Sequence, residues 1–191
     1  GFYTGLEFAS KLGPNWIWLS DDDAFPETDS FSKFRRYLSD LKDTNKISAI
    51  CGKVVNNGKI DLAHRRRLKD LFLFKKEVVV DSFEYLNDSF ELDLFSYVGV
   101  FINKVHLNKV GLTEKNYFIW YDDTEHSYRL RASGKILCLP SISIRHDVGE
   151  PLRTVSWKNY YGIRNRLLMY KKKSFKTYLF LSAKLFFNAI F

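Results

Sequence analysis

Two cysteines, four prolines and one methionine are all that 191 residues contain of these types. Cys51 and Cys138 lie in separate strand-like apolar runs without paired spacing. They read as reduced core residues of a cytosolic protein, which argues against a disulfide framework or a thiolate metal site. No signal peptide opens the chain. Its last apolar stretch, residues 174–191, is too short and too interrupted by Lys184 and Asn188 for a full membrane span. There is no internal repeat, no low-complexity linker and no groove-reading or base-stacking motif of a nucleic-acid binder. Acidic residues are also in deficit, 22 against 30 Lys and Arg, for a net charge of +8. That balance favours anionic partners such as phosphorylated ligands, nucleic acid or an acidic membrane face, and charge alone does not choose among them.

What the chain does have is apolar surface, with 46% hydrophobic and 17% aromatic residues. This suffices for the core of one globular domain. Residues 1–12 read as the body of a helix, closed by Gly13-Pro14, with no initiator Met and no strand before it. The expectation is therefore a chain whose upstream part is missing. Residues 16–19 predict a strand, and Asp29 or Ser30 is placed to cap a helix through about Leu41, with Phe31, Phe34, Leu38 and Leu41 on one face. Residues 47–55 predict a strand turned by Asn56-Asn57-Gly58, and 61–93, with the basic knot "HRRRLK", an excursion from the main sheet. A strand over 94–102, helices over 104–110 and 122–133, and two short strands over 135–139 and 141–146 follow. Residues 155–170 form an aromatic, basic helix, and 174–191 are apolar. Strands alternating with helices indicate an α/β sheet, whose ligands bind outside the carboxyl ends of strands.

The triplet Asp21-Asp22-Asp23 falls at such a strand end, in "NWIWLSDDDAFPE". Crowded carboxylates repel unless a cation, water or donors take up the charge. Alternation would aim Asp21 and Asp23 to one side as hard oxygen ligands, Asp22 being the member that tolerates replacement best; a solvated acidic loop is the alternative. In "YFIWYDDTEHSYRLRASG", Asp122 and Asp123 open a helix at its positive end, where they serve either chemistry or ordinary capping. Asp122 and His126, four apart, can form a metal pair or a local hydrogen bond, and Arg129 and Arg131 read as solvated or ion-paired. His146 ends the strand "SISIRH" and can ligate a metal or pair with Asp147.

In that order, "GFYTGLEFA", "WLSDDDAFPE", "SYVGVFI", "FIWYDDTEHSYRLRASG" and "SIRHD" resemble the family 2 inverting glycosyltransferases, and among them the bacterial galactofuranosyl- and rhamnosyltransferases of cell-surface polysaccharide synthesis. The resemblance covers residue 1 to about 166. It implies a GT-A, Rossmann-like mixed sheet flanked by helices, incomplete at the N-terminus because the family's nucleotide-binding half lies upstream. Residues 1–150 would be its catalytic and acceptor part and 151–191 a basic amphipathic helical extension. It also implies that Asp21, Asp22 and Asp23 form the nucleotide-diphosphate motif, that Asp21, Asp23 and His146 hold Mn²⁺ or Mg²⁺, and that Asp123 is the general base. Trp120, Tyr121 and Asp122 would then meet the acceptor.

The implied donor is a UDP or dTDP sugar and the implied acceptor a glycan or lipid-linked hydroxyl. The implied location is cytoplasmic, at the inner face of the membrane. There the basic C-terminal helices either lie on anionic lipid or form a packing or dimer contact. Two other readings of the same residues are a metal-dependent nucleotidyltransferase and a non-enzymatic module using its basic face.

Overall fold

The computed structural model describes residues 1–41, 43–72, 74–147 and 156–190, without the side chains of 189 and 190. In chain order the elements are α1 (Phe2–Lys11), β1 (Trp16–Leu19), β2 (Ala24–Pro26), α2 (Ser30–Asp40), β3 (Ile47–Asn56) and β4 (Lys59–Ile60). They continue as β5 (Arg65–Leu71), β6 (Phe74–Val79), β7 (Phe90–Leu92), β8 (Leu94–Phe95), β9 (Val100–Asn103) and α3 (Lys104–Val110). Last come α4 (Asp122–Ser133), β10 (Lys135–His146), α5 (Trp157–Lys173) and α6 (Phe175–Ile190). The chain is thus α/β, as its pattern predicts.

The main sheet runs β1-β9-β3-β10-β2, with β4 beside β3 and β7 beside β10. It is mixed, because β10 lies parallel to β3 while the other pairs are antiparallel. Its period-2 alternation sends side chains to two cores. Ile17 and Leu19 of β1 join Leu6 of α1, Leu107 of α3 and Leu130 of α4 on one face. Trp16 and Trp18 turn to the other, where Trp16 packs edge-on to Phe34 of α2 at 5.4 Å and Trp18 lies 4.5 Å from Phe101 of β9. Helices therefore cover both faces, and the loops at the strand ends remain free to build a site.

Four local expectations need correction. Residues 94–102 do not form one strand. Leu94–Phe95 pair with β5 in a three-stranded second sheet, β6-β5-β8, while Val100–Asn103 enter the main sheet. The cause is Arg65, fully buried, whose guanidinium donates to the carbonyls of Gly52 (2.9 Å), His64 (3.0 Å) and Val98 (2.7 Å) and so turns the chain between the two sheets. Conversely, 135–146 is one strand, whose pairing to β3 slips between Leu139 and Ser143. Pro140 has no N–H to give the ladder there, so the strand bulges and continues. Neither Asp29 nor Ser30 caps α2 through its side chain: Asp29 pairs with Lys33 at 2.8 Å, and Ser30 Oγ donates to the Ser143 carbonyl at 3.3 Å. The basic helix starts at Trp157 and runs on to Lys173; residue 155 and the proposed 150/151 boundary lie outside the described residues.

Candidate active site

The pairing of β2 with the end of β10 assembles the first half of the site. Ala24 stands opposite His146, and the Asp147 N–H donates to the Asp23 carbonyl at 2.9 Å. This register sets Asp23 beside His146, whose Nε2 lies 3.2 Å from Asp23 Oδ1. Asp21 completes the group, with one ligand atom from each of the three residues within 4.8 Å of the others. Asp22 is exposed and outside it. Burial, then the charge of Asp23, pushes the Asp21 carboxyl above the ordinary carboxylate range, while His146 opposes the shift. His146 Nδ1 is buried without a hydrogen-bond partner among the described residues. Two carboxylates and an imidazole with an orphaned ring nitrogen fit a divalent ion such as Mn²⁺.

Facing this group is the start of α4. A cleft of about 550 Å³ is lined by Asp21 together with Trp120, Asp122, Asp123, Tyr97 and Thr113. Burial, then the neighbouring Asp123 charge, raises the Asp122 carboxyl to about 7. Asp123 is raised as well, by burial first, against the lowering influence of Arg66 and of hydrogen bonds from Thr124. The pair therefore carries a proton near neutrality that isolated carboxylates would have lost.

Trp120 and Tyr121 hold left-handed backbone angles, φ 62° and 67°, which side chains of this size rarely adopt. Such strain persists only where the surroundings fix it. Here Asn165 of α5 donates to the carbonyls of Ile119 (3.0 Å) and Trp120 (2.9 Å), and the Trp120 ring packs against Gly162 so closely that a methyl there would meet it at 2.7 Å. The strained turn puts Trp120 on the cleft.

Tyr121 is not among the residues lining that cleft; its hydroxyl lies 3.4 Å from Glu77. Glu77, on β6, also takes Arg66 at 2.6 Å and the Tyr170 hydroxyl at 3.1 Å. Arg66 in turn donates to Thr124 Oγ1 at 2.7 Å, and Thr124 gives both its N–H (2.5 Å) and its hydroxyl (3.0 Å) to Asp123 Oδ1. One oxygen of Asp123 is thereby fixed. Glu77, Arg66, Thr124 and Asn165 escape sequence reading, because nothing in "KKEVVV" or "GIRNR" marks which polar residue turns inward.

The remaining sequence expectations settle as follows. Asp122 and His126 form no metal pair: His126 is buried, with its ring nitrogens 2.7 Å from the Tyr97 hydroxyl and 3.1 Å from the Gly111 carbonyl, and burial lowers it to about 3. Neither aspartate holds the N-cap position of α4, which Tyr121 occupies, although Asp123 accepts the first-turn N–H of Thr124. Asp147 pairs with Arg145 at 3.0 Å and leaves His146 free for Asp23. Arg129 pairs with Glu125 at 2.8 Å and Arg131 with Asp93, as ion-paired side chains. Cys51 and Cys138 are buried free thiols directly opposite one another on β3 and β10. Burial raises Cys51 to about 11 and Cys138 further, so both are inert.

No family model matches the chain, and no curated protein matches its sequence. Solved structures do match it. GalNAc-T7 in its crystal structure with UDP, GalNAc and Mn²⁺ superposes with a TM-score of 0.59 at 16% identity, over 90% of this chain and 34% of that one. A197 from STIV gives a TM-score of 0.47 at 14% identity, over 78% of this chain and 66% of that one. The chain thus spans about a third of the GalNAc-T7 chain. At this identity the likeness speaks to architecture, and the architecture it gives this α/β chain is the GT-A glycosyltransferase fold.

Proposed function

We propose that the chain is the catalytic and acceptor part of a glycosyltransferase that moves a sugar from a nucleoside diphosphate to an acceptor hydroxyl with inversion. The observation that carries this reading is that Asp21 of a metal-competent triad and the Asp122–Asp123 pair line the same cleft. An Mn²⁺ or Mg²⁺ ion held by Asp23, His146 and Asp21 would supply positive charge against the diphosphate leaving group.

The chain's own groups do the rest. Asp123, fixed at Oδ1 by Thr124 and backed by Arg66, takes the proton of the acceptor hydroxyl as that oxygen attacks in line, on the face opposite the departing phosphate. Trp120 offers the acceptor ring a stacking surface at the cleft mouth, and Asp122 a hydrogen-bond partner. The ordered motifs support a family 2 enzyme of the galactofuranosyl or rhamnosyl type, working in the cytoplasm at the inner membrane face on a UDP or dTDP sugar and a glycan or lipid-linked acceptor.

Metal binding is tested apart from turnover by following free Mn²⁺ with electron paramagnetic resonance. Wild type is expected to bind one ion, Asp22→Ala to bind it equally, and Asp23→Ala and His146→Ala to lose at least about tenfold in affinity. Unchanged affinity in either of the last two removes that residue from the ligand set.

A further inference from the structure

Residues 156–191 contain eight Lys and Arg and no Asp or Glu, so this stretch alone equals the chain's net charge of +8. α5 has two faces. Gly162, Asn165, Met169 and Tyr170 are buried against the body, where they brace Trp120 and Glu77. On the other face, Tyr160, Ile163, Leu167 and Leu168 recur at helical spacing and, with Tyr178 of α6, line an apolar groove of about 380 Å³ edged by Arg164 and Lys171. A smaller groove of about 130 Å³ continues between Leu167 and Leu181 and Leu185 of α6, edged by Arg166 and Lys184. α6 is itself held to the body, with Phe180 stacked on Phe74 at 3.9 Å and Thr177 accepting from the Lys75 N–H at 3.0 Å. The hairpin is therefore a fixed part of the fold with one face unpartnered.

The exposed surface of the hairpin is both greasy and cationic. Trp157 and Tyr160 on α5 and Leu179, Phe186 and Phe187 on α6 are each more than half exposed. Lys172 and Lys173 pair with Glu114 (2.9 Å) and Glu125 (3.5 Å), whereas Lys158, Lys171, Lys176 and Lys184 form no ion pair among the described residues. A second copy of the same face would bring like charge to like charge. No described helix is long and apolar enough to cross a membrane. An anionic bilayer surface satisfies both halves of the pattern at once, taking aromatic side chains below the headgroups and lysines among them.

We propose that α5 and α6 form an interfacial lipid site, in which an acyl chain of an anionic lipid enters the groove and Arg164, Lys171 and Lys184 hold its headgroup. The site stands without the glycosyl reading. If both hold, Asn165 and Gly162 couple the lipid-bound helix directly to the Trp120 wall of the cleft, where a lipid-linked acceptor would arrive.

Co-sedimentation with vesicles of phosphatidylcholine, with and without phosphatidylglycerol, tests it without any turnover. The expected result is binding only when phosphatidylglycerol is present, weakened by salt and accompanied by a blue shift of tryptophan fluorescence that Trp157→Phe removes. Lys171→Gln, Lys176→Gln and Lys184→Gln together are expected to weaken it about 100-fold, at about 1 kcal/mol per lysine near the surface. The same change at Lys33, Lys53 and Lys59 serves as the control and should cost far less. No binding, equal binding to neutral vesicles, equal losses in both triple variants, or a lipid-free dimer that buries this face would overturn the proposal.

Discussion

Asp123→Asn is expected to lower the rate of sugar transfer by about 10³-fold while Mn²⁺ affinity stays at the wild-type value. The amide keeps the shape and can still accept the Thr124 hydrogen bonds, but it cannot take a proton. The pH profile sharpens this. With Asp122 raised to about 7 and Asp123 raised beside it, the pair holds a proton in acid, and transfer should climb as pH rises through about 7. Unfolded carboxylates lose their protons near pH 4, so deprotonating the folded pair opposes folding. Its contribution is most favourable below that value and is lost as pH rises through about 7. Asp122→Asn should therefore melt higher than wild type at pH 8 and no higher at pH 4, as read by thermal unfolding. Transfer by Asp123→Asn within tenfold of wild type would remove Asp123 from the role of base.

The second large effect concerns folding. Arg65→Met is expected to destabilise the chain by about 2–5 kcal/mol, at about 1–3 kcal/mol for each buried carbonyl left without its donor. The guanidinium donates to the carbonyls of Gly52, His64 and Val98; His64 keeps the Ser96 N–H at 3.1 Å, but methionine would take this donor from the Gly52 and Val98 oxygens. The same contacts hold the turn between β8 and β9, so the second sheet should loosen first. Urea unfolding measures this, and a loss under about 1 kcal/mol would mean that water replaces the guanidinium at no great cost.

These two residues mark what the sequence can and cannot reveal. Asp123 was singled out only through the family resemblance, since capping explains an acidic pair at a helix start equally well; the grouping of Asp21 with Asp23 was legible, although a turn between β1 and β2 rather than strand alternation brings them together. Most strands and helices were legible because their periodicity is local. Arg65 was not. In "HRRRLK" three arginines look alike, yet Arg65 is swallowed by carbonyls, Arg66 backs Thr124 and Arg67 pairs with Glu84 on the surface. Which neighbour turns inward depends on the register of β5 against β6 and β8, and register is a tertiary property. The split of residues 94–102 between two sheets and the fusion of 135–146 into one strand were hidden likewise, because each rests on a long-range partner. The contact of Tyr121 with Glu77 was hidden because it rests on a left-handed backbone that no residue type in "FIWYDD" announces.

The central claim is that a metal-competent triad, which reaches the cleft through Asp21, and a proton-accepting pair in that cleft act together to move a sugar. Chromatography of the nucleotide products, after incubation with UDP and dTDP sugars, Mn²⁺ and a glycan or lipid-linked acceptor, tests it most directly. Acceptor-dependent release of nucleoside diphosphate is the predicted result, and release of pyrophosphate would contradict it.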